Sequence, residues 1–295
     1  MTGPDRETSS GPQVLLAIET ATDAVGVAVV RADGGSAERI HEGGRAHAEQ
    51  LAPLIEEVCA ISGCRITDVD RIAVDIGPGL FTGLRVGVAT AKALAQALGI
   101  GVIGVSSLDT LAAAASDRSG SGSGSGTGPG RPVVAVVDAR RGEVFAAAYR
   151  FDRETAPDPA SVRVDRPEPL APEDLASWLA ELAELAESAE SDGRITVVGD
   201  GAVRYLPLLS ADPRLDLSGA VSLASPPPAV LARLARHRLV GGAPAASPPD
   251  LLPDYRRAAD ARINWEQRAP RTPEPASPRA PAPSASPTPE TGDAP

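Results

Sequence analysis

A carboxylate and two hydroxyl groups stand together near the start of this 295-residue chain, where Glu19 is followed by Thr20 and Thr22. They occupy a short turn between two aliphatic runs, Val14 to Ile18 and Val25 to Val30, which predict the strands of a β-hairpin. An acidic, hydroxyl-rich hairpin tip either holds a metal-bound phosphate or is a capped, solvated turn. The residues alone leave both interpretations open.

A glycine-proline loop provides the second candidate site. Gly77 and Gly79 flank a proline after the predicted strand Ile72 to Ile76, and Thr82 and Arg85 follow in the first turns of a long helix. Free backbone amides and positive charge at a helix N-terminus attract anions. The spacing fits neither a P-loop nor a dinucleotide fingerprint. The alternatives are therefore an anion site and a tight strand-to-helix turn that fixes the packing.

The helix after this loop, predicted from Phe81 to Leu98, is apolar on nearly every side. Because such a helix must be covered on both faces, we expect one face to meet its own sheet and the other to meet a partner chain. Small residues recur at every fourth position and predict a stripe where a second helix approaches closely. This stripe consists of Gly83, Gly87, Ala91 and Ala95. We expect Gly87→Leu to block pairing without unfolding the chain.

Composition excludes several classes of protein. The 28 basic residues are outnumbered by 39 acidic ones, giving a net charge of −11, and only 3% of residues are aromatic. Both properties argue against a chain that grips nucleic acid by itself. No apolar run is long enough to cross a membrane, so we expect a cytoplasmic protein. None of the three histidines stand four residues apart, so no metal site is predicted.

The chain is predicted to be an α/β protein with two lobes and a cleft between them. We expect a disordered polar tail over residues 1–12, a first lobe over 13–115, a flexible Gly/Ser loop over 116–130 and a second lobe over 131–267. Whether the segment 251–267 returns to the first lobe is left open. Residues 268–295 are rich in proline and are predicted to be disordered.

Several segments together resemble the TsaB family, also called YeaZ. They occur in the family's order and cover nearly all of the predicted folded chain. These segments are LAIETATDAVGVAVV, HAEQLAPLIEEV, DIGPGLFTGLRVGVATAKALA, GVSSLDTLA, VVDARRGEVFAAAY and LPDYRR. The resemblance implies the two-lobed actin, sugar-kinase and Hsp70-like (ASKHA) fold. It places Glu19, Thr20 and Thr22 where nucleotide enzymes of this fold have their first phosphate loop, although the family more often has aspartate where this chain has Glu19.

The resemblance also implies a function. TsaB-family proteins are regarded as non-catalytic scaffolds that pair with TsaD and, with TsaE, help to attach threonylcarbamoyl to the adenosine beside the tRNA anticodon. We therefore expect no catalytic residues, contact with tRNA only through the complex, and a homodimer when the chain is alone. ATP or ADP with Mg²⁺ at the complex interface is left open. The alternative is an ATP-dependent phosphotransferase of the same fold.

The family's pairing mode assigns an interface to two helices, the one predicted from Phe81 to Leu98 and an earlier one from His47 to Ser62. Apolar residues of the earlier helix recur along one stripe and are expected to face the partner together with the histidine that opens the helix. These residues are His47, Leu51, Leu54, Ile55 and Val58.

Overall fold

The computed structural model describes residues 13–43, 46–120, 131–151, 163–166, 168–188 and 193–256. The predictions for both terminal tails, for residues 121–130 and for residues 257–267 lie outside this part of the chain. No described helix is both long and apolar enough to cross a membrane.

The first sheet has five strands in the order β3-β2-β1-β4-β5. Strands β1, β2 and β3 form an antiparallel meander, whereas β4 and β5 run parallel to β1. The strands are β1 (Val14–Glu19), β2 (Val25–Arg31), β3 (Ser36–His41), β4 (Arg71–Gly77) and β5 (Gly101–Ser106). The helices that follow β3, β4 and β5 are α1 (His47–Ser62), α2 (Phe81–Leu98) and α3 (Ser107–Gly120).

The second sheet repeats this topology. Its order is β8-β7-β6-β9-β10, with an antiparallel meander and two parallel strands on the other side of its first strand. Its strands are β6 (Val133–Arg140), β7 (Glu143–Tyr149), β8 (Arg163–Asp165), β9 (Ile195–Val198) and β10 (Leu215–Asp216). The helices are α4 (Pro172–Ser188), α5 (Asp200–Arg204), α6 (Leu206–Leu209) and α7 (Pro228–Val240).

Alternation along β1 divides the packing of the first sheet into two layers. Leu16 and Ile18 join the core cluster that contains α1 and α2. Leu15 and Ala17 point to the opposite face and join a cluster with α3, α7 and strands of the second sheet. Successive strand side chains point to opposite faces, so α1 and α2 cover one face of the sheet and α7 covers the other.

Helix α3 corrects one predicted boundary. It continues to Gly120, five residues into the segment that we expected to be a Gly/Ser loop. Tertiary contacts hold this last turn: Asp117 pairs with Arg233 of α7, and the Arg118 guanidinium donates to the hydroxyl of Ser222. The composition of residues 116–120 predicted a flexible loop, because composition carries no information about contacts with Arg233 and Ser222.

Candidate functional site

The turn between β1 and β2 is buried inside the chain except for Asp23, which is exposed. Glu19, Thr20 and Thr22 are between 0 and 2% exposed. His47 opens α1 and donates from Nε2 to the Thr22 carbonyl at 2.8 Å, and the Thr22 hydroxyl donates to Ser225 Oγ at 3.0 Å. Of the two interpretations, the solvated turn is wrong for these side chains, because α1 and α2 cover them.

Glycines of the loop and of α2 allow this close packing. A Cβ atom on Gly79 would lie 2.3 Å from the Ala21 carbonyl oxygen, and one on Gly83 would lie 2.1 Å from that of Thr20. A Cβ on Gly87 would lie 2.2 Å from the Thr20 hydroxyl oxygen. These distances leave no room for a side chain. The glycine-proline loop is therefore a packing device between α2 and the hairpin turn.

This geometry does not fit a phosphate between the loop and the turn. The amide of Leu80, at the start of α2, already donates to the Ala21 carbonyl at 2.6 Å, and Ala21 fills the space beside Gly79. Of the seven residues predicted to contact a cofactor, only two have exposed side chains, Thr82 and Arg85.

Two buried carboxyl groups meet beneath the turn. Asp75 Oδ1 accepts hydrogen bonds from the Gly77 amide at 2.7 Å and from the Ser107 hydroxyl at 2.6 Å. Among the described residues, no donor reaches Glu19 Oε2 or Asp75 Oδ2, although both oxygens are buried. If Glu19 is protonated and donates to Asp75, one hydrogen bond satisfies both oxygens. Burial, followed by the charge of Asp75, raises the pKa of Glu19 well above its ordinary value. Burial therefore favours the protonated form of Glu19 in the fold.

The structure corrects the predicted partner interface. All nine residues assigned to it are buried within this chain and cannot meet a partner's helix. The stripe of α2 faces the hairpin turn and the first sheet, and the stripe of α1 faces the same core. These residues are His47, Leu51, Leu54, Ile55, Val58, Gly83, Gly87, Ala91 and Ala95.

The opposite faces of the same two helices are exposed, and they are rich in alanine. On α2 the exposed positions include a series four residues apart, and α1 carries two more in its first half; we call this set the alanine face. It consists of Ala48, Ala52, Ala89, Ala93 and Ala97. Such small side chains allow a second pair of helices to approach closely.

An exposed aromatic and cationic cluster lies at the N-terminal end of α2. The Arg85 guanidinium lies 3.8 Å from the centre of the Phe81 ring, and its Nε donates to the Tyr255 hydroxyl at 3.3 Å. The two rings lie 5.2 Å apart. The segment that carries Tyr255 is held against the first sheet by a hydrogen bond from the Asp254 amide to the Ile76 carbonyl at 2.7 Å.

The hairpin turns of the two sheets meet through an ion pair. Arg140 donates to Asp23 at 2.7 Å and to Asp138 at 3.1 Å, and Arg204 also reaches Asp138 at 3.1 Å. Arg140 adopts a φ of 63°, in the left-handed region that favours glycine. The amide of Asp138 donates to Asp200, so five charged residues occupy the space between the turns.

Sequence reasoning missed two buried acids, Asp75 beneath the hairpin turn and Asp109 at the start of α3. Asp109 accepts from the Tyr149 hydroxyl at 2.9 Å and from Arg163 and Arg238 at 2.9 and 2.7 Å. The only signal for Asp75 is an acid inside the apolar strand β4. Within the described ranges, no group of three or more histidine, cysteine, aspartate or glutamate side chains could hold a metal ion.

Known proteins are similar to this chain in sequence and in fold. The family model of tRNA N6-adenosine threonylcarbamoyltransferase, TsaD, matches residues 39–202, more than half of the chain. The tRNA threonylcarbamoyladenosine biosynthesis protein TsaB of Escherichia coli is 36% identical over 138 residues, which are 47% of this chain and 55% of that protein. TsaB of Bacillus subtilis is 29% identical over 258 residues, 85% of this chain and 97% of that protein. The chain belongs to the TsaB (YeaZ) family.

A solved structure of a YeaZ protein has a similar fold. YeaZ from Pseudomonas aeruginosa is 28% identical, with a TM-score of 0.62 over 82% of this chain and 98% of that one. The two sheets of identical topology belong to the predicted ASKHA fold, which is confirmed. The chain spans 55% of the length of the Escherichia coli relative and 58% of the Mycobacterium bovis relative, but only 35% of the Mycobacterium leprae relative.

Proposed function

We propose that this TsaB-family chain is a non-catalytic scaffold that pairs with a TsaD-type subunit in the cytoplasm. The complex, with a TsaE-type ATPase, attaches threonylcarbamoyl to the adenosine beside the tRNA anticodon. The names of the Escherichia coli and Bacillus subtilis relatives place those proteins in tRNA threonylcarbamoyladenosine biosynthesis. The observation that carries the proposal is the alanine face of α1 and α2, which no described part of this chain covers.

The alanine face replaces the buried stripes as the docking surface. A partner helix laid along Ala89, Ala93 and Ala97 would meet no large side chain at these positions. An interface of standard size buries about 800 Å² on each partner. At about 25 cal/mol per Å² this amounts to well over 10 kcal/mol before the costs of association. The same face would serve the homodimer that we propose for the isolated chain.

The packing of the hairpin turn also supports a scaffold. A phosphotransferase of this fold would use the Glu19–Thr22 turn and the Gly77–Arg85 loop as phosphate contacts, but these two segments are packed against each other. We therefore do not propose that alternative. If ATP or ADP with Mg²⁺ binds at the complex interface, the exposed Thr82 and Arg85 are the predicted residues that can reach it, and this stays a prediction.

An arginine on the alanine face tests the docking surface. We expect Ala93→Arg to weaken pairing with a TsaD-type subunit by more than about tenfold, because a long charged side chain prevents close helix approach. Leu185→Arg is the matched control, since Leu185 is an exposed apolar residue on α4 of the second sheet. Analytical ultracentrifugation of each variant with the partner measures the affinity, and circular dichroism confirms that both variants are folded.

Reconstitution tests the function itself. Threonylcarbamoyladenosine is measured by mass spectrometry after incubating tRNA, ATP, threonine, bicarbonate, the carbamoyl-AMP synthase, TsaD and TsaE with or without this chain. The proposal requires that product depends on the chain and that Ala93→Arg, but not Leu185→Arg, lowers it. Unchanged product without the chain, or normal pairing of Ala93→Arg, contradicts the proposal.

A further inference from the structure

A cavity of about 410 Å³ opens between the β2–β3 hairpin and α7. It lies on the side of the first sheet that α7 covers: Val30, which lines it, packs in the cluster that contains α7, whereas its neighbour Val29 packs with α1 and α2. Its volume is within the range of about 300–1,000 Å³ that is typical of small-molecule sites. A ligand here would leave the alanine face free.

Four basic side chains line this cavity, which we call the arginine groove. They are Arg31, Arg233, Arg236 and His237. The chain as a whole has a net charge of −11, so a concave surface with three arginines departs from its average. Guanidinium groups bind phosphate through paired N–H donors, which explains the frequency of arginine at phosphate sites.

The acidic neighbours of the groove leave this capacity in place. Asp33 pairs with Arg31, and Asp117 pairs with Arg233, but the four side chains are between 41 and 61% exposed. Glu38 reaches one end of the groove, where it accepts from the Ala229 amide at 3.3 Å. Exposed pairs of this kind contribute about 0–1 kcal/mol, and each guanidinium has five donors. An incoming phosphate can therefore bind these arginines without a large penalty.

Arg236 is the fixed member of the set. Its guanidinium donates to the Arg31 carbonyl at 2.7 Å and to the Gln13 carbonyl at 3.4 Å, which holds it at the base of the groove. Burial lowers the pKa of Arg236, so its charged form is disfavoured by desolvation and is stabilised by a nearby anion.

The rest of the groove is apolar. Val30, Ala229 and Val240 contribute aliphatic surface beside the basic side chains, and Val240 is largely exposed. Inorganic phosphate would leave this surface in water. A ligand with a phosphate at one end and a flat, weakly polar body would cover both parts, and arginine side chains also stack on such rings.

We propose that the arginine groove binds a nucleoside phosphate, with the phosphate on the arginines and the base against the aliphatic surface. The nucleoside phosphate is either a free nucleotide or a nucleotide within an RNA strand. This proposal does not rest on the pairing function, because the groove is complete within one chain.

Calorimetric titration of the full chain tests the chemistry of the ligand. The probes are AMP, adenosine, inorganic phosphate and a single-stranded oligoribonucleotide. We expect AMP to bind more tightly than adenosine or inorganic phosphate, since only AMP meets both parts of the groove. In the double variant Arg31→Gln/Arg233→Gln, affinity should fall by at least about tenfold, in line with the loss of charged hydrogen bonds.

A double variant with the same change of charge is the control. Arg65→Gln/Arg214→Gln also removes two arginines that pair with nearby aspartates, but neither lines the groove, and affinity should change less than about twofold. Val240→Asp places a negative charge in the groove without altering an arginine, so it should also abolish binding. This variant tests the proposal even if Arg31→Gln/Arg233→Gln does not fold.

Each outcome decides the proposal. Binding of the oligoribonucleotide but not of AMP, with the same dependence on the groove variants, supports it and identifies RNA as the source of the nucleotide. Absence of binding by both probes overturns it. Equal affinities of the groove and control double variants also overturn it, because the nucleotide would then bind elsewhere.

Discussion

Asp200 begins α5, and its Oδ1 accepts a hydrogen bond from the Asp138 amide at 2.8 Å. Burial raises its pKa from 3.8 to about 6. An acid with a raised pKa in the folded state binds more protons there than in the unfolded chain, so its contribution to stability is complete below pH 3.8 and is lost as pH rises through about 6. The full difference corresponds to about 3 kcal/mol.

We expect Asp200→Asn to remove this pH dependence. Asparagine keeps the acceptor oxygen for the Asp138 amide and carries no charge, so the variant should be more stable than the parent at pH 8 and no more stable at pH 4. Urea unfolding followed by circular dichroism at pH 4 to 8 measures this. An unchanged difference in stability between pH 4 and pH 8 would show that folding does not raise the pKa of Asp200.

Asp212 provides a control of opposite sign. Its hydrogen bond with Arg214 lowers its pKa, so its contribution is present above the ordinary pKa and is lost as pH falls. Asp212→Asn should therefore lower stability slightly at pH 8 and have no effect at low pH. Similar curves for the two variants would contradict the assignment of these opposite shifts.

Residue types predicted where polar groups gather, but not whether water reaches them. The sequence identified Glu19, Thr20 and Thr22, and the structure brings them together with His47. Their burial depends on Gly83 and Gly87, some 60 residues further along, which let α2 lie on the turn. No local pattern in the turn reports that contact, so the solvated alternative could not be excluded from the sequence.

At the level of elements, the central question is which face of α2 is internal. The packing predicts that Gly87→Ala destabilises the fold by about 1–3 kcal/mol, because its Cβ would overlap the Thr20 hydroxyl. Alanine normally favours a helix over glycine by about 1 kcal/mol, so the sign of the change is diagnostic. Gly87→Leu, which we expected from the sequence to leave the fold intact, should destabilise it for the same reason.

A double-mutant cycle isolates this contact. Thr20→Ala removes the hydroxyl that Gly87→Ala would meet, so the double variant should recover at least about 1 kcal/mol relative to the sum of the single changes. Chemical unfolding of the four proteins measures the coupling. Additive effects would show that α2 does not contact Thr20 through this glycine.

Helical periodicity predicted the bounds of α1 and α2 correctly, since both helices have a long apolar face. Short elements such as β8, β10 and α6 were missed because a few residues carry no measurable period. Periodicity also failed to choose between the two faces of α2. A helix that is apolar all round offers two candidate contacts, and only the path of the chain decides which of them is internal.

At the scale of the whole molecule, the two sheets share one core. The cluster around α7 includes Leu15 and Ala17 of β1 together with Val133 and Ala135 of β6. Asp109 connects the same layers, since its partners Tyr149, Arg163 and Arg238 come from β7, β8 and α7. A shared core and a shared buried ion cluster make the two sheets depend on each other for stability.

We therefore expect the chain to unfold in a single transition. Asp109→Ala should lower the stability of both sheets by the same amount. Removing one partner of a buried ion pair costs about 3–5 kcal/mol. We expect a cost near the lower limit, because the side chains of Arg163 and Arg238 keep some contact with water. Glu57→Ala, which breaks an exposed pair with Arg39, should cost less than about 1 kcal/mol. Urea unfolding followed by both circular dichroism and tryptophan fluorescence should give coincident curves, because Trp178 reports on the second sheet while circular dichroism reports on both. If Asp109→Ala separates the two curves, the sheets unfold independently, and the common core does not couple them.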